Sequence, residues 1–209
     1  MKALRPLLLQ GFLALTAGMS SAGAQAGNQQ YEPLAASVQA ALHAAVADQA
    51  PLDPSFQRSP ERARWLAEMS QRLARSIPDE AYRSELLRAV HYEATRAGLD
   101  PQLVLGLIQV ESGFKKYALS TAGARGYMQV MPFWAKLIGN EESNLFHMRT
   151  NLRFGCTILR HYLDIEKGDL FRALGRYNGS LGKAEYPNLV RAAWERNWSY
   201  PANLRLAQN

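Results

Sequence analysis

The chain has 209 residues, 47% of them hydrophobic, and a formal net charge of +6, enough for one domain with a proper core plus extensions. The positive excess is mild and scattered, with no basic run and no aromatic–basic motif, so nucleic acid is not expected as a partner, whereas an anionic polymer or a membrane surface fits. The single cysteine, Cys156, allows no internal disulfide, and the four histidines form no short-range ligand pair, so neither a metal nor a cofactor is expected.

Residues 1–26 read as a secretory signal peptide. Lys2 and Arg5 form a positive region, Leu7 to Met19 is apolar but interrupted by Gln10, Gly11 and Gly18, and Ala22-Gly23-Ala24 or Ala24-Gln25-Ala26 fits a cleavage site. The interruptions argue against a membrane anchor, and no later run is long or apolar enough to cross a bilayer. An exported protein without stable membrane insertion is expected, in the periplasm or elsewhere in the cell envelope. Loss of Lys2 and Arg5 would leave a charge of about +4.

Residues 27–60 form an extension. Leu34 to Val46 is alanine-rich with a loose helical period, and Gln49 to Pro60 holds three prolines and reads as a linker, so a weakly attached or partly disordered helix is expected here. The compact domain is placed at 61–200, with a tail at 201–209. Ser59-Pro60 opens its first helix, with Leu66, Met69, Leu73 and Ile77 on the buried face. Pro78-Asp79 opens the next, carrying Tyr82, Leu86, Val90 and Ala94 and closed by Gly98. Asp100-Pro101 begins a third helix that runs to Glu111.

Residues 114–131 lack a helical period and carry Gly123 and Gly126, which suggests a small β-hairpin or loop insert. Pro132 opens a short helix with Phe133, Trp134, Leu137 and Ile138. Asn151 is read as the cap of a helix bearing Leu152, Cys156, Leu159, Tyr162 and Leu163, and Asp169 as the cap of one bearing Leu170, Phe171, Leu174 and Tyr177. A last helix is expected after Pro187, with Leu189, Val190, Ala193 and Trp194. With no repeats and no alternating strand series, the fold class is all-α.

One residue breaks the pattern of apolar faces. Leu103, Val104, Leu107, Ile108 and Glu111 share one helix face, so a carboxylate stands at the end of an apolar stripe, next to a glycine-dotted loop. Burial disfavours the charged form of such a group and keeps its proton available near neutral pH, as a general acid requires. The alternative is a structural acid paired with an arginine such as Arg125.

Three segments now align in order: Glu111-Ser112-Gly113-Phe114, then Ser120 through Gly123, Gly126, Met128-Gln129 and Met131-Pro132, then Tyr177-Asn178. Together they closely resemble the soluble lytic transglycosylase family, with its goose-type-lysozyme-like helical catalytic domain, over roughly residues 85–180. The resemblance implies cleavage of the β-1,4 bond between N-acetylmuramic acid and N-acetylglucosamine in peptidoglycan glycan strands, with a 1,6-anhydro product formed by attack of the sugar's own 6-hydroxyl. It places the single catalytic acid/base on Glu111 and sets the Tyr177 hydroxyl beside it. Ser120, Gln129, Met131 and Asn178 fall on the substrate side of the same pattern, although each has a local role open to it in a turn, a backbone hydrogen bond or the core. Most glycoside hydrolases need two carboxyls, and no second acid lies in a motif here: after Glu111 the next is Glu141, beyond the loop. The chain departs from the family pattern at Tyr127 and at Arg176-Tyr177-Asn178-Gly179-Ser180, which bears on subsite preference. Two other functions remain open on the same residues, a goose-lysozyme-type muramidase that hydrolyses with water, and a non-catalytic wall-binding or secretion-assembly module.

Overall fold

The structure, a computed structural model, describes residues 29–47, 56, 58–140 and 143–200. The signal peptide, most of the proline-rich linker, Glu141 and the tail lie outside the described residues. The described secondary structure is helical apart from isolated bridges in the loop after Glu111. None of the described helices is long and apolar enough to cross a membrane.

Local chemistry sets the helix starts. Helix α1 spans Ala36–Ala47, α2 Pro60–Leu73, α3 Glu80–Arg96 and α4 Pro101–Ser112. The side chains of Ser59, Asp79 and Asp100 accept hydrogen bonds from the backbone N–H groups of Arg62, Tyr82 and Gln102, and prolines open α2 and α4 where no N–H is needed. Helix α5 follows at Pro132–Ile138, α6 at Met148–Ile165, α7 at Leu170–Asn178 and α8 at Glu185–Ala193, and a π-helical turn covers Trp194–Trp198. Asp169 caps α7 by accepting from the Arg172 N–H.

Two positions differ from the sequence reading. Asn151 lies inside α6, whose first turn begins one residue after His147. The last helix begins at Glu185, two residues before Pro187, because the first turn of a helix has no use for the proline's missing N–H. That shift turns Tyr186, Pro187, Val190 and Ala193 inward and leaves Leu189 exposed.

Helix α4 is central. Leu103, Val104, Leu105, Leu107 and Ile108 are all buried, and a helix apolar on every side belongs inside a core. It packs on α3, α8 and the π-helical turn. Gly106 permits the closest of these approaches, since a Cβ there would lie 2.8 Å from the backbone nitrogen of Trp194. Helix α6 forms the second layer against α3, α7 and α1. Between α3 and α6, Glu93 is fully buried and held by Arg153 at 3.0 Å, Arg96 at 3.1 Å and Arg149 at 3.7 Å, so its charge is compensated. Helix α1 lies against α5 and α6 with Leu42 and Val46 buried, and Gln39 donates to the Leu137 carbonyl at 2.7 Å. It is packed, where the sequence suggested weak attachment.

Candidate active site

Glu111 lies in the last turn of α4, which ends at Gly113 in the left-handed conformation (φ 56°). The turn aims the carboxyl into the protein: Glu111 is 5% exposed and forms no ion pair among the described residues. Arg125, the alternative partner, is exposed, with its guanidinium over the Phe146 ring. The partner Glu111 does have is Tyr186 of α8, whose buried phenol donates to Oε1. Oε2 is buried with no hydrogen-bond partner among the described residues. Burial pushes the carboxyl up to about 8, and the hydrogen bond from Tyr186 opposes that rise. The Tyr186 phenol is itself pushed well above its ordinary range, first by burial and then by the Glu111 charge. At neutral pH the pair is therefore neutral, with an acidic proton on a carboxyl oxygen that nothing else holds.

Backbone and side-chain hydrogen bonds tie together the loop beside this acid. Arg125 and Val130 exchange N–H···O bonds at 3.0 Å, and the Gly126 N–H donates to the Ala118 carbonyl at 2.8 Å. Asn151 pins the loop to α6: its Oδ1 accepts from the Met128 N–H, and its Nδ2 donates to the carbonyls of Arg125 and Leu145, each at 2.8 Å. Gly126, at φ 74°, makes room for this amide, since a Cβ there would stand 2.5 Å from Asn151 Nδ2. The Ser112 hydroxyl lies 2.8 Å from the Tyr127 carbonyl, and the Tyr127 and Tyr82 hydroxyls are 2.7 Å apart.

Against this frame the sequence-derived residues separate. Tyr177 is fully buried, and its hydroxyl donates to the Met128 carbonyl at 2.8 Å, so it fastens the loop; the phenol bound to Glu111 is that of Tyr186. Gln129, at φ 48°, donates through Nε2 to the carbonyls of Ala118 and Gly126 at 3.1 and 2.9 Å, which commits its donors to the loop. Ser120 Oγ accepts from the Ala124 N–H at 3.0 Å, a turn contact, while its residue stays half-buried. Met131 caps α5 and is half-buried. Asn178 donates to Ser180 Oγ at 3.1 Å and keeps a buried Oδ1 without a partner among the described residues. Tyr186 and Gly106 were not singled out from the sequence, and Asn151 was read only as a helix cap. Tyr186 sits just before the expected start of the last helix, and only the early start of α8 brings it inward. Tyr117 and Leu119 are exposed on the loop as an apolar pair. Among the described residues no cluster of His, Cys, Asp or Glu could hold a metal ion. Cys156 is buried, and burial pushes its thiol up, away from reactivity.

Comparison with known proteins shows the family of the chain. The "Transglycosylase" of Enterobacteria phage PRD1 is 39% identical over 88 residues, 42% of this chain and 32% of that protein. The "Membrane-bound lytic murein transglycosylase C" of Mannheimia succiniciproducens is 39% identical over 82 residues, 35% of this chain and 23% of the relative. Its Haemophilus influenzae namesake is 43% identical over 112 residues, 46% of this chain and 31% of the relative. The matched stretch thus spans about a third or less of the length of these curated relatives. Among solved structures, the 70 kDa soluble lytic transglycosylase of Escherichia coli aligns at 17% identity over 71% of this chain and 32% of that chain, with a TM-score of 0.36, too low to carry an argument. Residues 88–193, just over half of the chain, match the family described as Transglycosylase SLT domain, and the chain belongs to that family.

Proposed function

We propose that this protein is an exported peptidoglycan lytic transglycosylase of the periplasm or cell envelope, with the catalytic domain at residues 61–200. The carrying observation is Glu111: a buried carboxyl, protonated up to about pH 8, with Oε1 held by Tyr186 and Oε2 unpartnered. The Oε2 proton passes to the glycosidic oxygen between N-acetylmuramic acid and N-acetylglucosamine as the C1–O bond breaks. The carboxylate then accepts the proton of the 6-hydroxyl while O6 bonds to C1, closing the 1,6-anhydro ring and restoring the acid. One carboxyl serves both steps because the nucleophile comes from the sugar. Two further observations support a single acid: no neighbouring carboxylate contributes to the Glu111 shift, and Glu93, the other deeply buried acid, is engaged by arginines.

Within this reading Glu111 is the catalytic residue and Tyr186 positions it. Ser120 and Met131, half-buried in the loop beside the acid, line the substrate side, while Gln129, Tyr177 and Asn178 hold the loop and the end of α7 in place. The names of the relatives, two of them murein transglycosylases, support glycan strands of the wall as the substrate. Mass spectrometry of glycan strands digested with the full-length protein tests the proposal. Terminal 1,6-anhydro-N-acetylmuramic acid is the expected product; new reducing ends would mean a muramidase, and undegraded strands a binding module.

A further inference from the structure

Resting on the catalytic reading, a second feature concerns access to the acid. A general acid must touch its substrate, yet Glu111 Oε2 is shut off from solvent in the folded chain. The segment that leads into α1, residues 29–35, lies across neighbouring parts of the site. It is fastened by side chains at three places. Gln29, 4% exposed, accepts from the Met131 N–H through Oε1 at 3.4 Å, and its amide also faces the Tyr177 phenol. Tyr31 stands edge-on to Phe133 with ring centroids 5.8 Å apart. Glu32 takes the Arg176 guanidinium at 3.0 and 3.4 Å.

These fastenings are weak and reversible. The Gln29 hydrogen bond is long, Tyr31 remains 61% exposed, and the Glu32 carboxylate is half in solvent. The Gln29 Nε2 is buried against the Tyr177 phenol, with no well-aligned hydrogen bond among the described residues. Both side chains lie near Tyr177: Gln29 meets its phenol through the amide, and the Glu111 charge acts on the same phenol. A buried amide donor held by a poorly aligned contact, next to a signature loop, occupies space that a sugar's hydroxyl or acetamido group would satisfy better. The positions it engages are also informative. Met131 and Tyr177 belong to the site's own motifs, and Arg176 is one of the departures from the family pattern, held on its other side by Glu166.

We infer that residues 29–33 form an autoinhibitory strap, which closes the site at Met131, Phe133 and Arg176 and is displaced by the incoming glycan strand. Strand binding then competes with strap closure, so the apparent affinity for glycan is reduced by the fraction of molecules that are closed. Removing the fastenings raises that affinity and leaves the chemical step untouched.

The test uses the full-length protein and purified glycan strands, with anhydro-product formation as the readout. Gln29→Ala combined with Glu32→Ala is expected to raise kcat/KM by about fivefold or more, the scale set by losing two modest polar contacts, with kcat unchanged. A second variant, Tyr31→Cys with Phe133→Cys, closes the strap covalently through a short bis-maleimide or a disulfide. Cross-linking is expected to reduce cleavage by tenfold or more, and reduction of the disulfide to restore it. An unchanged or lowered kcat/KM in the released variant, or full activity in the cross-linked one, would overturn the strap. Adding Glu111→Gln to the released variant separates the two ideas: product formed without that carboxyl would refute the catalytic reading, whatever the strap does.

Discussion

The Tyr186 phenol donates to one oxygen of the Glu111 carboxyl and leaves the other buried and unpartnered. The two oxygens are therefore not equivalent. Oε1 is held as an acceptor, so the acidic proton rests on Oε2, the only atom of the pair free to pass it on. The same geometry suits the return step, since the carboxylate left behind accepts on Oε2 while Tyr186 stabilises the charge on Oε1.

The raised carboxyl sets a pH window. Folded, Glu111 keeps its proton up to about pH 8, while the unfolded chain releases it in the ordinary carboxyl range. Between those limits the folded state binds the extra proton, so stability is highest at acid pH and declines as pH rises through about 8. The full effect is on the order of 5 kcal/mol. Glu111→Gln abolishes it. Denaturant midpoints of parent and variant should converge at about pH 5 and separate by about pH 9 in favour of the glutamine. Parallel curves would place the carboxyl's titration in the ordinary range.

Tyr186→Phe should act through Glu111. Loss of the hydrogen bond that lowers the carboxyl's pKa moves the alkaline limb of the pH–rate profile upward, because Tyr186 opposes the effect of burial. Positioning is lost as well, and kcat is expected to fall by about 10- to 100-fold, as when a partner orienting a reactive group is removed. An alkaline limb that stays where it was would refute the role. Tyr177→Phe makes a contrast: it leaves the Met128 carbonyl without its donor, costs about 1–3 kcal/mol of stability, and shifts the limb little.

Asn151 should be among the least replaceable polar residues. Asn151→Asp keeps the acceptor for the Met128 N–H but turns two donors into a carboxylate oxygen facing the Arg125 and Leu145 carbonyls. It is expected to destabilise more than Asn151→Ala, whose cost is about 3 kcal/mol for three broken hydrogen bonds. Thermal melts of both variants decide the order, and an aspartate variant as stable as the parent would contradict the assigned contacts.

Gly106→Ala sets two effects against each other. Alanine favours a helix by about 1 kcal/mol over glycine. Its Cβ, however, would meet the Trp194 backbone at 2.8 Å, and a helical backbone cannot yield as a side chain can. A net loss of about 1–3 kcal/mol is expected, as for other overpacked cores. Because the crossing carries α8, the variant should also lose activity as Tyr186 moves. A melting temperature above the parent's would show that the crossing is loose.

The helices were legible where caps and apolar periods coincide: Ser59-Pro60, Asp79, Asp100-Pro101 and Asp169 each open a helix as read. Glu111 was legible for the same reason, as a polar residue on a periodic apolar face. Asn151 misled because asparagine serves equally as a helix cap or as a clamp on remote backbone, and local sequence does not distinguish the two. Tyr186 was hidden by Pro187, which looks like a helix start but sits inside the first turn. Gln129 and Tyr177 carry the motif, yet their hydrogen bonds go to the loop backbone, a contact that depends on tertiary placement. The arginine cluster around Glu93 draws on α3 and α6 and left no trace in either helix read alone.

The central claim concerns the proton on Glu111, and the carboxyl carbon reports on it directly. Full-length protein labelled with 13C at glutamate Cδ can be titrated by NMR, with the Glu111 resonance assigned by its absence in Glu111→Gln. The account expects that carbon to change shift near pH 8, several units above the exposed glutamates. A midpoint in the ordinary carboxylate range would mean a charged Glu111 at neutral pH, and the general-acid role would fail.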